Sequence, residues 1–230
     1  MNHYTTRKQI TNQLIALALI VFFVTMVKIN VGLPVAVIVG VSAIVGFFGW
    51  RATNLNHSID PTKTATLFLL TVAALHVHMY EEHTQWFGPA MSRLFGIACP
   101  DDKFLLIFVF ILPTIYYLTT IGLIRQVPLA GFVAWFIFIG PGIAEFTHFI
   151  FPLLKPALLP DDASTIAATV NGTAISSMVN HYIGTTGRYY FPGMYTAVLP
   201  MIPGICAVTW LLRQRKNRGG VPNLENTYAR

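Results

Sequence analysis

The segment LHVHMYEEHTQWF, Leu75 to Phe87, gathers three histidines and two glutamates between His76 and His83. Imidazole and carboxylate are ligands for iron, manganese and zinc. A helix turns about 100° per residue, so with His78 at zero Glu82 lies at about +40° and Glu81 at about −60°. These side chains share one face, whereas His76 and His83 fall at about 160° and 140° on the opposite side. A second group, Glu145 and His148 in GPGIAEFTHF, has the Glu-x-x-His spacing of carboxylate-bridged di-metal sites in helical bundles. A third stretch, NHYIGTTGRYYFPGMYTAVLP, contains His181 and Arg188. Together His78, Glu81, Glu82, Glu145, His148 and His181 suit two divalent metal ions, with iron favoured and zinc or manganese as alternatives. Arg188 suits a clamp for an anionic group on a substrate. The bland alternatives are a helix end meeting water for the first group and a metal-free buried ion pair for the second.

The elements that must position these residues are membrane helices. The chain has 230 residues, 54% hydrophobic and 10% charged, against roughly a quarter charged in soluble domains. No linker or internal repeat divides it, so residues 1–230 read as a single integral membrane domain. Six apolar stretches approach the roughly 20 residues needed to cross a bilayer. They are Ile10 to Val27, Val31 to Trp50, Thr64 to Gln85, Phe104 to Ile124, Leu129 to Phe151 and Met194 to Leu212. The first lacks a small-residue cleavage site and reads as an uncleaved helix. The stretch 162–183 reads as a further helix that re-enters or lies on the membrane, because it is too small and polar for a span. The expected fold is an all-α polytopic bundle of about six transmembrane helices plus that element. Cys99 and Cys206 are too far apart in sequence to suggest a disulfide framework.

The net charge of +6 follows membrane topology, not nucleic-acid binding. With the amino terminus inside, Arg7, Lys8, Arg51, Lys63, Arg125, Arg213, Arg215, Lys216, Arg218 and Arg230 fall on the inner side. Only Lys28, Arg93, Lys103, Lys155 and Arg188 fall outside. The positive-inside rule then puts both termini in the cytoplasm. The third and fifth stretches run in the same direction, which brings His78, Glu81, Glu82, Glu145 and His148 to one depth near the outer leaflet.

The run HMYEE, His78 to Glu82, has the form His-x-x-Glu-Glu. With EFTH, NHYIGTTGRYYFPG and the YFPGMYTA lead-in to the last span, the chain resembles the HXXEE-motif family of bacterial integral membrane proteins. The resemblance covers most of the chain from the third stretch onward and implies that His78, Glu81 and Glu82 are defining residues; it implies no reaction. The expected function is an intramembrane metalloenzyme of the bacterial inner membrane, acting on a lipid-like or apolar substrate as oxidoreductase or hydrolase. Membrane lipid is the expected partner, with an electron donor if the metal is iron, and no nucleic acid. Two rivals use the same residues. A cation or proton transporter would pass ions along them, and a haem protein would use the histidines but leave Glu81, Glu82 and Glu145 without a role.

Overall fold

The structure, a computed structural model, describes residues 3–55, 59–97, 99, 106–157, 169–170, 173–174 and 178–219. Proline and glycine set many of its boundaries. Helix α1 (His3–Asn30) turns through Gly32, at φ 128°, into α2 (Leu33–Thr53), whose first turn holds Pro34. Asp60 caps α3 (Pro61–Thr84): its Oδ1 accepts the Lys63 N–H at 2.9 Å, and Pro61 opens the helix. Beyond Thr84 the chain reverses through Trp86, at φ 63°, into the short α4 (Phe87–Phe95). A π-helical turn, Leu106–Ile111, runs into α5 (Leu112–Ile124). Helix α6 (Pro128–Ile143) continues past Gly140-Pro141-Gly142 as tighter 3-10 turns, Ala144–Phe149 and Phe151–Leu153. A single turn, α7 (Ile183–Thr186), precedes the last helix, α8 (Val198–Gly219).

Helix α6 packs against α2, α5 and α8, and α3 packs against α5, α6 and α8. Between them lies an aromatic core of Phe47, Trp50, Phe68, Tyr116, Phe132, Trp135 and Phe138. Phe68 meets Tyr116 and Phe138 edge to face at 6.1 and 6.3 Å, the orientation ring quadrupoles prefer. The buried Trp135 indole donates to Thr53 Oγ1 at 3.0 Å, so its polar edge is satisfied. Helices α6 and α8 touch backbone to backbone. A Cβ on Gly204 would lie 2.5 Å from Gly142 Cα, and one on Gly142 would lie 2.9 Å from Gly204 Cα.

Many large apolar side chains face outward. On α1, Val21 is 66% exposed and Ile29 72%. Helices apolar on every side are buried or span membranes. Among the described residues, three are fit by length and composition to cross one: Arg7–Asn30, Leu33–Thr53 and the run Pro128–Leu153. The expected fourth span is shorter, a 13-residue apolar α5 behind its π turn. The third and sixth are the helices α3 and α8, which carry Lys63, Glu81 and Glu82, and Arg213 and Arg215. The fold is thus helical, with three such apolar helices among the described residues where about six spans were expected.

The further helix expected over 162–183 does not appear among the described residues. Thr169–Val170 instead pairs antiparallel with Thr173–Ala174, and the chain from Met178 to Tyr182 has no helix before α7. The cause is legible: β-branched Thr169, Val170 and Thr173 flank an Asn-Gly pair, a sequence that favours hairpins. The remaining residues of that stretch lie outside the described ones.

The glycine crossing predicts a sharp size limit. Gly204→Val should lower thermal stability in detergent by about 1–3 kcal/mol, the usual cost of overpacking. Gly140→Ala should be nearly neutral, since a Cβ there meets nothing nearer than 3.6 Å. Equal melting temperatures for the two variants would remove the close crossing.

Candidate metal centre

His78 and Glu82 stand one turn apart near the carboxyl end of α3, and both are buried. Glu145 and His148 come from the 3-10 turn after α6. A 3-10 helix has three residues per turn, so residues i and i+3 stand in line. Had the α-helix continued beyond Ile143, the pair would have been staggered. The tightened turn instead brings both side chains toward α3.

The four side chains meet at one point, with one ligand atom from each and all four atoms within 4.8 Å of one another. His78 Nε2 lies 3.2 Å from Glu145 Oε2 and 3.6 Å from Glu82 Oε1. His148 Nε2 lies 3.1 Å from Glu145 Oε2 and 3.3 Å from Glu82 Oε1. The rings are nearly perpendicular, at 86°, with centroids 4.8 Å apart. Tetrahedral ligands at about 2.0–2.1 Å from a central ion stand roughly 3.3 Å from each other. The four imidazole–carboxylate separations lie near that spacing, and the full set of ligand atoms falls within 4.8 Å.

The far side of each ring fixes its tautomer. His148 Nδ1 lies 2.7 Å from the Pro192 carbonyl, which can only accept, so Nδ1 carries the proton. Thr196 Oγ1 donates its single hydrogen to Glu81 Oε2 at 2.6 Å. It must therefore accept from His78 Nδ1, 3.1 Å away. Both histidines thus direct Nε2 at the same two carboxylate oxygens. A protonated Nε2 has one hydrogen to divide between two oxygens, whereas a central cation satisfies all four atoms. This is the orientation that backing hydrogen bonds give metal-binding histidines. The cluster therefore has the capacity to hold a metal ion.

Glycine is required where the chain crosses this centre. Gly193 has φ 88°, and a Cβ on it would lie 2.7 Å from His148 Cε1, 2.8 Å from His78 Cε1 and 2.9 Å from Glu82 Cγ. Beside it, Phe87, Phe151 and Phe191 surround the His148 ring at 5.3, 5.7 and 6.3 Å. These rings belong to a small apolar cluster with Ala90, Met91 and Leu94. They keep water from one side of the site and strengthen the electrostatic interactions there.

The other expected residues stand apart from this group. Adjacent helical residues diverge by about 100°, and Glu81 turns away from the point Glu82 reaches. Its Oε1 accepts from Tyr190 Oη at 3.2 Å and Tyr195 N at 3.4 Å. Its Oε2 accepts from Thr196 N at 2.9 Å as well as from Thr196 Oγ1. Glu81 thus acts on His78 through Thr196. His181 packs against Tyr190 and Phe191, with centroids 5.7 and 5.5 Å away. Arg188 is exposed, and its guanidinium lies over the Tyr190 ring at 5.2 Å. His76 and His83 are exposed on the opposite face, and His76 Nδ1 hydrogen-bonds the Val72 carbonyl at 2.7 Å. Sequence reasoning missed Thr196, the Pro192 carbonyl and the exact fit of Gly193. In the core, the fully buried Tyr116 hydroxyl has no hydrogen-bond partner among the described residues.

Outside the helices, burial and the nearby Arg188 charge push the His181 imidazole down to about 4 from its ordinary 6.5. Burial and the Glu81 charge raise the Tyr190 phenol above its usual range. A histidine depressed in the fold takes its proton first in the unfolded chain, so stability is lost as pH falls from about 6.5 toward 4. His181→Phe should flatten the melting temperature across that window. An unchanged slope in the variant would show that His181 does not carry it.

No protein-family model, curated protein or solved structure matches the chain.

Proposed function

We propose that the chain is an integral membrane metalloenzyme that holds one divalent cation on His78, Glu82, Glu145 and His148 and acts on a lipid-like substrate. The observation that carries this reading is the shared aim of the two Nε2 atoms, set by the acceptors behind each ring. Two carboxylates balance a divalent charge, which makes a loaded site tolerable in an apolar interior. Nitrogen and oxygen donors without sulfur suit iron, zinc or manganese. One ion is favoured over two because Glu81 is engaged by Tyr190, Tyr195 and Thr196, and His181 by aromatic rings. Among the described residues no second cluster of this kind continues a path through the bundle, which favours a resident ion over transport.

When bound, the ion supplies Lewis-acid polarisation, or electron transfer if it is iron. The protein's own groups set its surroundings. His78 and His148 present neutral nitrogens, Glu82 and Glu145 present charge, and Glu81 holds Thr196 against His78. Phe87, Phe151 and Phe191 exclude water from one side. In this reading the HMYEE run supports membership of the HXXEE-motif family, with His78 and Glu82 as ligands and Glu81 as the orienting carboxylate. The three apolar helices support a membrane protein, the basic inner segments favour cytoplasmic termini, and the resemblance favours a bacterial inner membrane.

Metal analysis tests the site. Protein purified in neutral detergent and dialysed against iron, zinc or manganese should retain one ion per chain. Glu82→Gln and His148→Ala should abolish retention, and Glu82→Gln, which keeps the side-chain volume, should melt near the metal-free wild type. Glu81→Gln and Thr196→Val should weaken affinity about 10–100-fold without abolishing it, the usual effect of removing an orienting partner. No retained metal would overturn the reading, and two ions per chain would overturn the single-ion form of it.

A further inference from the structure

A cleft of about 640 Å³ opens beside the metal centre, on the far side of the Glu81–Thr196 pair. We propose that this cleft binds the anionic headgroup of an amphiphile, a phosphate or carboxylate, with Arg188 as its cation; the inference rests on the membrane reading above.

The charge in the cleft is uneven. Arg188 lines the wall, and its guanidinium is held over Tyr190, which stiffens the side chain and leaves the edge donors open. The ion pairs among the described residues all belong to the His/Glu cluster, and none includes Arg188. The one carboxylate on the same wall, Glu81, already accepts from Tyr190, Tyr195 and Thr196, so donors face it on both oxygens. Neutral donors complete the site. Asn180 donates one amide hydrogen to Thr185 at 3.1 Å and has a second to give. The His181 Nε2 is buried with no hydrogen-bond partner among the described residues. A guanidinium held in place with neutral donors around it suits a phosphate or carboxylate.

The surroundings point to an amphiphile as the source. Tyr195 lines the cleft at 64% exposure, and Gln85 on its wall adjoins Trp86, exposed at 59%. Exposed tyrosine and tryptophan mark the level of lipid headgroups. Just past Tyr195, α8 turns Val198, Leu199 and Ile202 outward, an apolar track for an acyl chain. A headgroup in the cleft stands one side chain, Thr196, from His78. It would hold an amphiphilic substrate by its polar end beside the metal centre.

The test uses the full chain in neutral detergent, titrated with short-chain phosphatidylglycerol, the matching phosphatidylcholine and inorganic phosphate, with Trp fluorescence and native mass spectrometry as readouts. Phosphatidylglycerol should bind saturably and at least tenfold tighter than phosphatidylcholine. Arg188→Ala, with unchanged melting temperature, should weaken it at least tenfold. Inorganic phosphate at millimolar concentration should not displace it. Equal binding of the two lipids, or full affinity in Arg188→Ala, would overturn the proposal. Displacement by phosphate would also overturn it and reassign the cleft to a soluble anion. Repeating the titration on Glu82→Gln separates the two readings: binding retained there, in a protein whose wild type holds no metal, would sink the metal reading and keep the cleft.

Discussion

Two carboxylates and two imidazoles meet at one point in an apolar interior, and much of the surrounding structure is explained by what that meeting requires. Buried charge is expensive unless it is paired. Each imidazole of His78 and His148 stays within 3.1–3.6 Å of the carboxylates of Glu82 and Glu145, across two helical segments. That convergence needs the 3-10 turn at Ala144–Phe149 to align Glu145 with His148. It also needs the YFPGMYT stretch to lie over both rings, and only a glycine at position 193 permits such an approach.

The rest of the bundle gives this meeting a stable frame. The contact of Gly142 with Gly204 brings α6 and α8 to backbone distance just before the 3-10 turn. The same contact fixes the chain that leads into α8, whose preceding residues supply Thr196 and the Pro192 carbonyl. The aromatic core around Phe68, Tyr116 and Phe138 fills the space between α3, α5 and α6. Displacing any of these helices by an ångström would misalign ligands that come from separate elements.

Much of the fold was legible in composition and periodicity. Apolar runs marked the helices to within a few residues: stretches drawn from Val31, Thr64 and Leu129 correspond to helices that begin at Leu33, Pro61 and Pro128. Less legible were the places where local chemistry departs from a plain helix. The Glu-x-x-His spacing in GPGIAEFTHF was legible, but not that the chain beyond Ile143 tightens from an α-helix into 3-10 turns. Over 162–183 the small polar residues suggested a helix, while the Asn-Gly pair and its β-branched neighbours favoured the short ladder at Thr169–Ala174.

The sequence by itself determined which side chains share a helical face, because that follows from spacing alone. His78 with Glu82, Glu145 with His148, and the exclusion of His76 and His83 were all readable in this way. Spacing could not divide the adjacent Glu81 and Glu82, since both lie within reach of the His78 face. Tertiary structure divided them: Glu82 joins the cluster, and Glu81 is drawn aside by Tyr190, Tyr195 and Thr196. It also supplied the groups that hold each ring, for Thr196 lies 118 positions from His78, and Pro192 lies 44 from His148. Helical periodicity relates only neighbours along one element. Partners that far apart in the chain meet only when separate helices pack.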